Sequence, residues 1–318
     1  MAINNKVQNK TVAILMATYN GGKHIENQIL SLQQQTYKNW ELHIQDDGSS
    51  DDTLNIIQKL KSYDERINIV DNNNKKNQGA GKNFLSLVKN VSTDYAIFCD
   101  QDDIWLENKL SSMVEYAEEK DLANSSQPSI VYADGYAFDN ETGQIDFNGI
   151  SHNHADRLKD FLFFNGGYQG CSIMFNKAMI DMISDYRGYV HLHDDIVSLI
   201  AHSMGNVYFL PKKLMLYRQH VDAVTGHKSF NNNLFSKFRS PINYLLSKEH
   251  FLVKESFYKI YSDKLSDSVK NDFETFFKFC HATSKFTQLT ILINHDYRLN
   301  NSRLKLFLKF LLRRTFDK

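Results

Sequence analysis

Four times in the first hundred residues a short apolar run ends in polar or acidic residues and a helical pattern follows, a rhythm that leaves few folds open. Thr11 to Ala17 (TVAILMA) is almost continuously apolar, as a parallel strand covered on both faces must be. Thr18-Tyr19-Asn20-Gly21-Gly22 breaks it, and Ile25, Ile29 and Leu32 then share one face of a helix expected over His24 to Gln35. Trp40 to Gln45 alternates like a strand and ends in Asp46-Asp47-Gly48-Ser49-Ser50-Asp51-Asp52, where Ser50 or Asp51 can cap a helix carrying Leu54, Ile57 and Leu60. Ile67 to Val70 is a third strand. After the polar loop Asp71 to Gln78, Gly79-Ala80-Gly81-Lys82-Asn83 opens a helix with Phe84, Leu87 and Val88, and Tyr95 to Cys99 is the fourth strand. Repeated strand-helix units require parallel strands joined by right-handed crossovers. In such sheets ligands bind just beyond the carboxyl ends of the strands.

Beyond the fourth strand, Asp100-Gln101-Asp102-Asp103-Ile104-Trp105 places three carboxylates within four positions. Asp100 and Asp102 are two apart and can reach one point, as a hard divalent cation such as Mg2+ or Mn2+ requires. Asp102 or Asp103 can instead cap the helix expected over Leu106 to Glu119. Three clustered carboxylates acting only as caps would repel one another with nothing to offset them.

Further on the rhythm loosens. Ser129 to Ala133, Cys171 to Phe175 and Val207 to Leu210 read as strands, with a helix starting at Lys177. Asp139 to Asp160 reads as a mobile loop over the site. Asn165-Gly166-Gly167-Tyr168-Gln169-Gly170 is dense in glycine, and His191-Leu192-His193-Asp194-Asp195 precedes an apolar helix expected over Ile196 to Met204. From about Phe230 no glycine occurs, and aromatics, Leu and Lys recur at helical spacing, so residues 229–318 are expected to form a helical region appended to a domain of residues 1–228. In Ser302 to Lys318, Leu304, Phe307, Leu308 and Leu311 form one stripe with Arg303, Lys305, Lys309, Arg313 and Arg314 elsewhere. Such a basic amphipathic helix either lies on an anionic membrane surface or packs on the domain with its lysines solvated.

Lys+Arg and Asp+Glu both number 37 of 318 residues, so no net field draws the chain to nucleic acid. Cys99, Cys171 and Cys280 lack the spacing of a disulfide framework or zinc site, which suits a reducing compartment. MAINNKVQNK has no apolar signal core, and no run approaches the roughly 18 apolar residues that span a bilayer. A cytoplasmic protein, peripheral at most to the inner face of the membrane, is expected.

Taken in order, Ala17-Thr18-Tyr19-Asn20-Gly21, Asp46-Asp47-Gly48-Ser49-Ser50-Asp51, Asp100-Gln101-Asp102-Asp103-Ile104-Trp105 and His193-Asp194-Asp195 resemble the motifs of family 2 glycosyltransferases. The Asp-Gln-Asp-Asp-x-Trp form and Tyr217-Arg218-Gln219-His220 are similar to those of bacterial rhamnosyltransferase-like members. The resemblance runs from about Thr11 to Gly226. It implies an α/β GT-A fold, a Rossmann-like mixed sheet flanked by helices, that binds a nucleotide. It also implies transfer, with inversion, of one sugar from dTDP-rhamnose or a UDP-sugar to a glycan or lipid-linked acceptor in cell-surface polysaccharide synthesis.

That chemistry needs a grip on the nucleotide, a cation for the leaving diphosphate and a base for the nucleophile. The Tyr19 ring can cover the nucleobase and Asp47 can accept its imide N–H. The resemblance implies further donor contacts from Thr18, Asn20, Gly79, Asn83, Asp100, Gln101 and Arg218. It makes Asp102 the direct ligand of Mn2+ or Mg2+, with Asp100 beside it and His220 as a ligand or a donor to the diphosphate. Gly166, Gly167 and Gln169 fall where relatives bind acceptors. Asp194 is the base, at a helix start that favours its ionised form; Asp195 competes for that role, and one of the two is expected to be only a cap.

Other classes fit less well. Gly79 to Asn83 looks like the end of a P-loop, but Lys76 stands where its first glycine belongs and Asn83 where Ser or Thr must follow the lysine. Processive synthases carry Gln-x-x-Arg-Trp and membrane-spanning helices, both missing. A nucleotidyltransferase would need an Arg-containing glycine loop after the first strand, which Thr18 to Lys23 does not supply. A sugar-nucleotide-binding module without turnover is the non-catalytic alternative, and intact Asp102 and Asp194 argue against it.

Overall fold

The computed structural model describes residues 9–71, 77–219 and 244–316. Its first elements follow the apolar runs closely. Strand β1 (Val12–Thr18) is followed by α1 (Ile25–Gln33), β2 (Trp40–Asp46), α2 (Thr53–Lys61), β3 (Ile67–Ile69), α3 (Ala80–Val88) and β4 (Tyr95–Cys99). Next come β5 (Ile104–Trp105), α4 (Lys109–Glu119), β6 (Ser129–Asp139), β7 (Ile145–Asp146), β8 (Ile173–Asn176) and α5 (Lys177–Ser184). Then follow α6 (His193–Met204), β9 (Asn206–Gln219), β10 (Tyr244–Leu246), α7 (Lys248–Tyr261), α8 (Asp267–His281), α9 (Lys285–Asn294), α10 (Arg303–Leu312) and β11 (Arg314–Phe316).

Among the described residues nine strands form one mixed sheet, in the order β3-β2-β1-β4-β8-β6-β9-β5, with β7 paired to β6. The first four are parallel, and the register Thr18↔Asp46 and Met16↔Cys99 brings the carboxyl ends of β1, β2 and β4 side by side. Strand β8 runs antiparallel to β4 and makes the sheet mixed. Val12 to Met16 and Tyr95 to Cys99 are fully covered, which is why they read as continuous apolar runs rather than alternating ones. Each large apolar side chain so buried contributes about 1.5–3 kcal/mol, so these two strands anchor the site that lies at their ends.

The chain divides into two compact units that do not follow a single cut in sequence. The first holds the nine-stranded sheet: the chain up to Ser151, with Gln169–Tyr186 and the strand from Asn206. The second joins His152–Tyr168 and Arg187–Gly205 to the C-terminal helices. It has an aromatic core in which Phe163 packs edge-on against Phe276, Phe279 and Tyr297. The boundary expected after residue 228 lies outside the described residues.

Several local expectations are corrected. Neither Asp102 nor Asp103 caps a helix: the two-residue strand β5 pairs with β9 first, and α4 begins after Asn108. Neither Ser50 nor Asp51 is the cap of α2, which follows Asp52; the Asp51 carboxylate accepts the N–H groups of Gly22 and Thr53 instead. Residues 139–160 are not one loop. Strand β6 continues to Asp139, β7 folds back on it, and Asp134 accepts the N–H groups of Ile150 and Ser151 at 2.8 and 2.9 Å. Leu158–Phe161 is a helical turn. Helix α6 starts three residues early, at His193 after Leu192, so Asp194 and Asp195 both lie in its first turn and neither is its cap.

Candidate active site

At the carboxyl ends of β1, β2 and β4 the polar loops are tied to one another. Gln101 grips Tyr19 on both sides, its Oε1 accepting the Tyr19 N–H at 3.0 Å and its Nε2 donating to the Tyr19 carbonyl at 3.0 Å. A Cβ at Gly21 would lie 2.2 Å from the Gln101 Oε1, so a side chain there would have to push the Gln101 amide aside. Thr18 donates to Asp46, which also accepts the N–H groups of Gly48 and Ser49. Asn20, at φ 49°, accepts the Ser50 N–H at 2.8 Å. The Tyr19 ring is left 50% exposed above this network, free to stack on a planar ligand.

Asp47 is buried, and its carboxylate accepts the N–H groups of Gln78 and Gly79 at 2.9 to 3.1 Å. It thereby holds the turn in which Gly79 adopts φ +83° and opens α3. One turn on, Asn83 donates to the Gln45 carbonyl at 3.0 Å, and its Oδ1, though buried, has no partner among the described residues.

The three carboxylates have distinct surroundings. Asp100 and Asp102 are half-buried while Asp103 is fully enclosed. Ligand atoms of Asp100, Asp103 and Cys171 all lie within 4.8 Å of one another. Burial, and after it the neighbouring Asp102, pushes Asp100 up to about 7. Asp103 is driven well above the usual carboxylate range by burial and then by Asp100 and Asp102.

Two cations brace this cluster from within. Lys109 is buried, donates to the Cys171 carbonyl at 2.8 Å and stands 3.8 Å over the Trp105 ring; burial holds its ammonium below the usual value. Arg218, at the end of β9, gives its backbone N–H to Asp103 at 3.1 Å and its Nε–H to the Asp102 carbonyl at 2.5 Å. Its Nη1 donates to Asn140. Burial holds the thiol of Cys171 well above its usual range, so oxygen is the donor chemistry on offer. Crowded carboxylates, one of which is pushed toward keeping its proton, are surroundings that a hard divalent cation suits; the group whose ligand atoms converge is Asp100, Asp103 and Cys171, and Asp102 is not part of it. His220 lies outside the described residues.

The second unit holds the other carboxylate pair. Asp195 is buried and hydrogen-bonded to Nδ1 of His250 on α7, whose ring meets His191 edge-on at 4.9 Å. Asp194 is half-buried. Gly167 lies against its backbone, so that a Cβ would fall 2.1 Å from the Asp194 carbonyl oxygen and 2.8 Å from Ser198 Oγ. Gly166 has φ +132° and Tyr168 donates its N–H to Ser198 at 3.2 Å, which completes the seat of the first turn of α6. Gln169, in the first unit, directs its amide toward Cys171 Sγ at 3.7 Å. Gly167→Ala is expected to cost about 1–3 kcal/mol, as overpacking does, and to displace Asp194. A lowered melting temperature together with lost turnover checks this; an unchanged enzyme would show that the turn can move aside.

Lys109, Asn140 and His250 belong to these clusters and were not singled out from the sequence, where Asp103 reads as one of three clustered carboxylates or as a helix cap. Lys109 and His250 sit in helical stretches where a polar residue signals a solvated face, and only the fold encloses them.

The fold, a GT-A arrangement, is shared with solved glycosyltransferases. S. aureus TarS residues 1-349 in complex with UDP-GlcNAc aligns with a TM-score of 0.55 at 15% identity, over 87% of this chain and 77% of that one. A mannosyltransferase from Pyrobaculum calidifontis, in complex with GDP-Man and Mn2+, aligns at 0.52 and 13%, over 89% and 73%. In sequence the chain is 30% identical over 226 residues to the dTDP-rhamnosyl transferase RfbG of Shigella flexneri, covering 66% of this chain and 73% of the relative. It is 28% identical to a Campylobacter jejuni GalNAc(5)-diNAcBac-PP-undecaprenol beta-1,3-glucosyltransferase, over 54% of this chain and 53% of that protein. Residues 13–182 match the profile described as Glycosyl transferase family 2. The order of the four motifs, the mixed sheet that carries the first three, and these matches agree: the chain belongs to glycosyl transferase family 2 and is a glycosyltransferase.

Proposed function

We propose that this enzyme transfers one sugar, with inversion, from dTDP-rhamnose or a UDP-sugar to a glycan or lipid-linked acceptor of a bacterial surface polysaccharide, at the cytoplasmic face of the membrane. The observation that carries this reading is the pairing of a half-exposed aromatic ring at Tyr19 with the half-buried carboxylates Asp100 and Asp102 on loops that leave neighbouring parallel strands. The names of the Shigella and Campylobacter relatives favour a deoxysugar or glucosyl donor and a lipid-linked acceptor.

In this reading Tyr19 covers the base, Asp47 fixes the Gly79 turn beside it, and Thr18, Asn20, Asn83 and Gln101 hold the loops that enclose the nucleotide. Asp102 and Asp100 would hold Mn2+ or Mg2+, which offsets the charge growing on the leaving diphosphate. Arg218 and Lys109 keep Asp103 and the backbone of the motif in place. The acceptor oxygen attacks the anomeric carbon, the bond from that carbon to the diphosphate oxygen breaks, and Asp194 takes the acceptor's proton late, as the oxygen becomes acidic. Gly166, Gly167 and Gln169 shape the acceptor's surroundings.

Donor hydrolysis without acceptor tests the reaction class. A panel of UDP-, GDP- and dTDP-sugars is offered with Mn2+, with Mg2+ and with chelator, and the released nucleoside diphosphate is read. Metal-dependent release from one donor supports the proposal. No release from any donor, together with no metal-dependent nucleotide binding, would favour a binding module without turnover.

Asp100 adds a pH dependence. Its folded-state value of about 7 lies above that of an unfolded aspartate, so the fold favours its protonated form and a cation must displace that proton. Mn2+ affinity is therefore expected to be full above pH 7 and to fall about tenfold per unit below it. Titration calorimetry at pH 6 and pH 8 checks this, and Asp100→Asn should flatten the dependence.

A further inference from the structure

We propose that the antiparallel pair α9 and α10 forms a docking face for an anionic lipid bilayer, a property beyond the donor and acceptor chemistry above. The terminal helix packs inward through Leu306 and Phe310, both 1% exposed, with Phe310 against Phe279. Its other face turns Leu304, Leu308, Leu311 and Leu312 outward, each at least half exposed. Most of the leucine stripe seen in the sequence is thus presented to solvent rather than packed.

Helix α9 extends that surface. It buries Gln288 and Leu292 and exposes Phe286 and Ile293. The two helices are stitched head to tail. Lys285 Nζ donates to the carbonyls of Phe310 and Arg313 at 3.1 and 2.9 Å, and at the opposite end Arg303 donates to the Ile293 carbonyl at 3.1 Å. Ile293, Leu304, Leu306 and Phe307 line one groove between them. Single exposed apolar residues are ordinary, but a contiguous surface of this kind marks a contact face.

Charge identifies the occupant. Residues 285–316 carry seven Lys and Arg and one acid, Asp296, in a chain whose formal charge is zero. Asp296 is itself bound by Arg157, Arg298 and Arg303. Exposed leucines on a segment that also carries Lys305 and Arg314, both exposed, suit the boundary between acyl chains and anionic headgroups, where lysine and arginine reach outward to phosphate. A second copy of the chain would bring the same cations against themselves, which disfavours a symmetric pairing. No helix among the described residues is long and apolar enough to cross a membrane, so the contact is one of lying on the surface.

Full-length protein is mixed with vesicles of phosphatidylcholine alone and of phosphatidylcholine with phosphatidylglycerol, then sedimented. Binding is expected only to the anionic vesicles and should weaken with salt. Arg313→Gln with Arg314→Gln should reduce it about tenfold or more, since each basic residue at such a surface is worth roughly a factor of five. Leu308→Glu with Leu311→Glu should reduce it as strongly at an unchanged melting temperature. Equal binding to both vesicle types, or variants that bind like the parent, would overturn the proposal. So would a concentration-dependent dimer, broken by the leucine changes, in protein that ignores vesicles. Donor hydrolysis in the same samples without lipid should be the same in parent and variants, so a failure here leaves the transferase reading intact.

Discussion

Asp102→Ala is expected to reduce metal-dependent sugar transfer by about a thousandfold or more, because a bound cation supplies several kcal/mol of charge stabilisation to the departing diphosphate. Mn2+ binding should weaken in step. Folding should suffer less: Asp102 is half-buried, and although its carboxylate attracts Arg218, the hydrogen bond that joins the motif to Arg218 uses its backbone carbonyl, which alanine keeps. The neighbouring acid gives the contrast. Asp103 is enclosed, accepts the Arg218 N–H and is held toward its protonated form by burial. Asp103→Ala should therefore lower stability by about 1–3 kcal/mol through the unpaired donor it leaves behind, whatever it does to turnover. Melting temperature and Mn2+ affinity measured side by side separate the two. If Asp102→Ala binds Mn2+ as tightly as the parent while Asp103→Ala does not, the ligand assignment moves to Asp103.

The parallel half of the sheet was legible because burial on both faces forces continuous apolar runs, and Thr11 to Ala17 and Tyr95 to Cys99 match β1 and β4 to within one residue. Beyond β4 the signal fails for a physical reason. Strand β5 has two residues, too few for any periodicity, and β9 carries Pro211-Lys212-Lys213 in its middle, so only its start at Val207 to Leu210 reads as a strand. The second unit was harder still, since it is assembled from separate segments and no composition shift marks His152–Tyr168 or Arg187–Gly205 as partners of the last helices. The site followed the same division. Acids at the ends of apolar runs announce themselves, whereas Lys109 and His250 acquire their roles only when distant segments enclose them.

Asp194→Asn should lower transfer about a hundred- to ten-thousandfold, the usual range for loss of a positioned base, and leave metal-dependent nucleotide binding and melting temperature as they were. The amide is nearly isosteric, so helix α6 keeps its start; what is lost is the ability to take a proton, together with a small helix-terminus contribution of the charge. Asp195 differs because its carboxylate is already bound to His250 in the interior. Removing one partner of a buried pair strands the other, so Asp195→Asn and His250→Ala should each destabilise the second unit by about 1–3 kcal/mol. A base also sets the acidic limb of the kcat/KM profile, so rate against pH is the deciding readout. With Mn2+ kept saturating at every pH, so that the proton on Asp100 does not enter, Asp194→Asn should abolish that limb. His250→Ala, acting through helix position, should lower the plateau and keep the limb. An Asp194→Asn enzyme that turns over normally, beside a folded but inactive Asp195→Asn, would transfer the role of base to Asp195. The bond to His250 would then orient a catalytic carboxylate rather than anchor a helix.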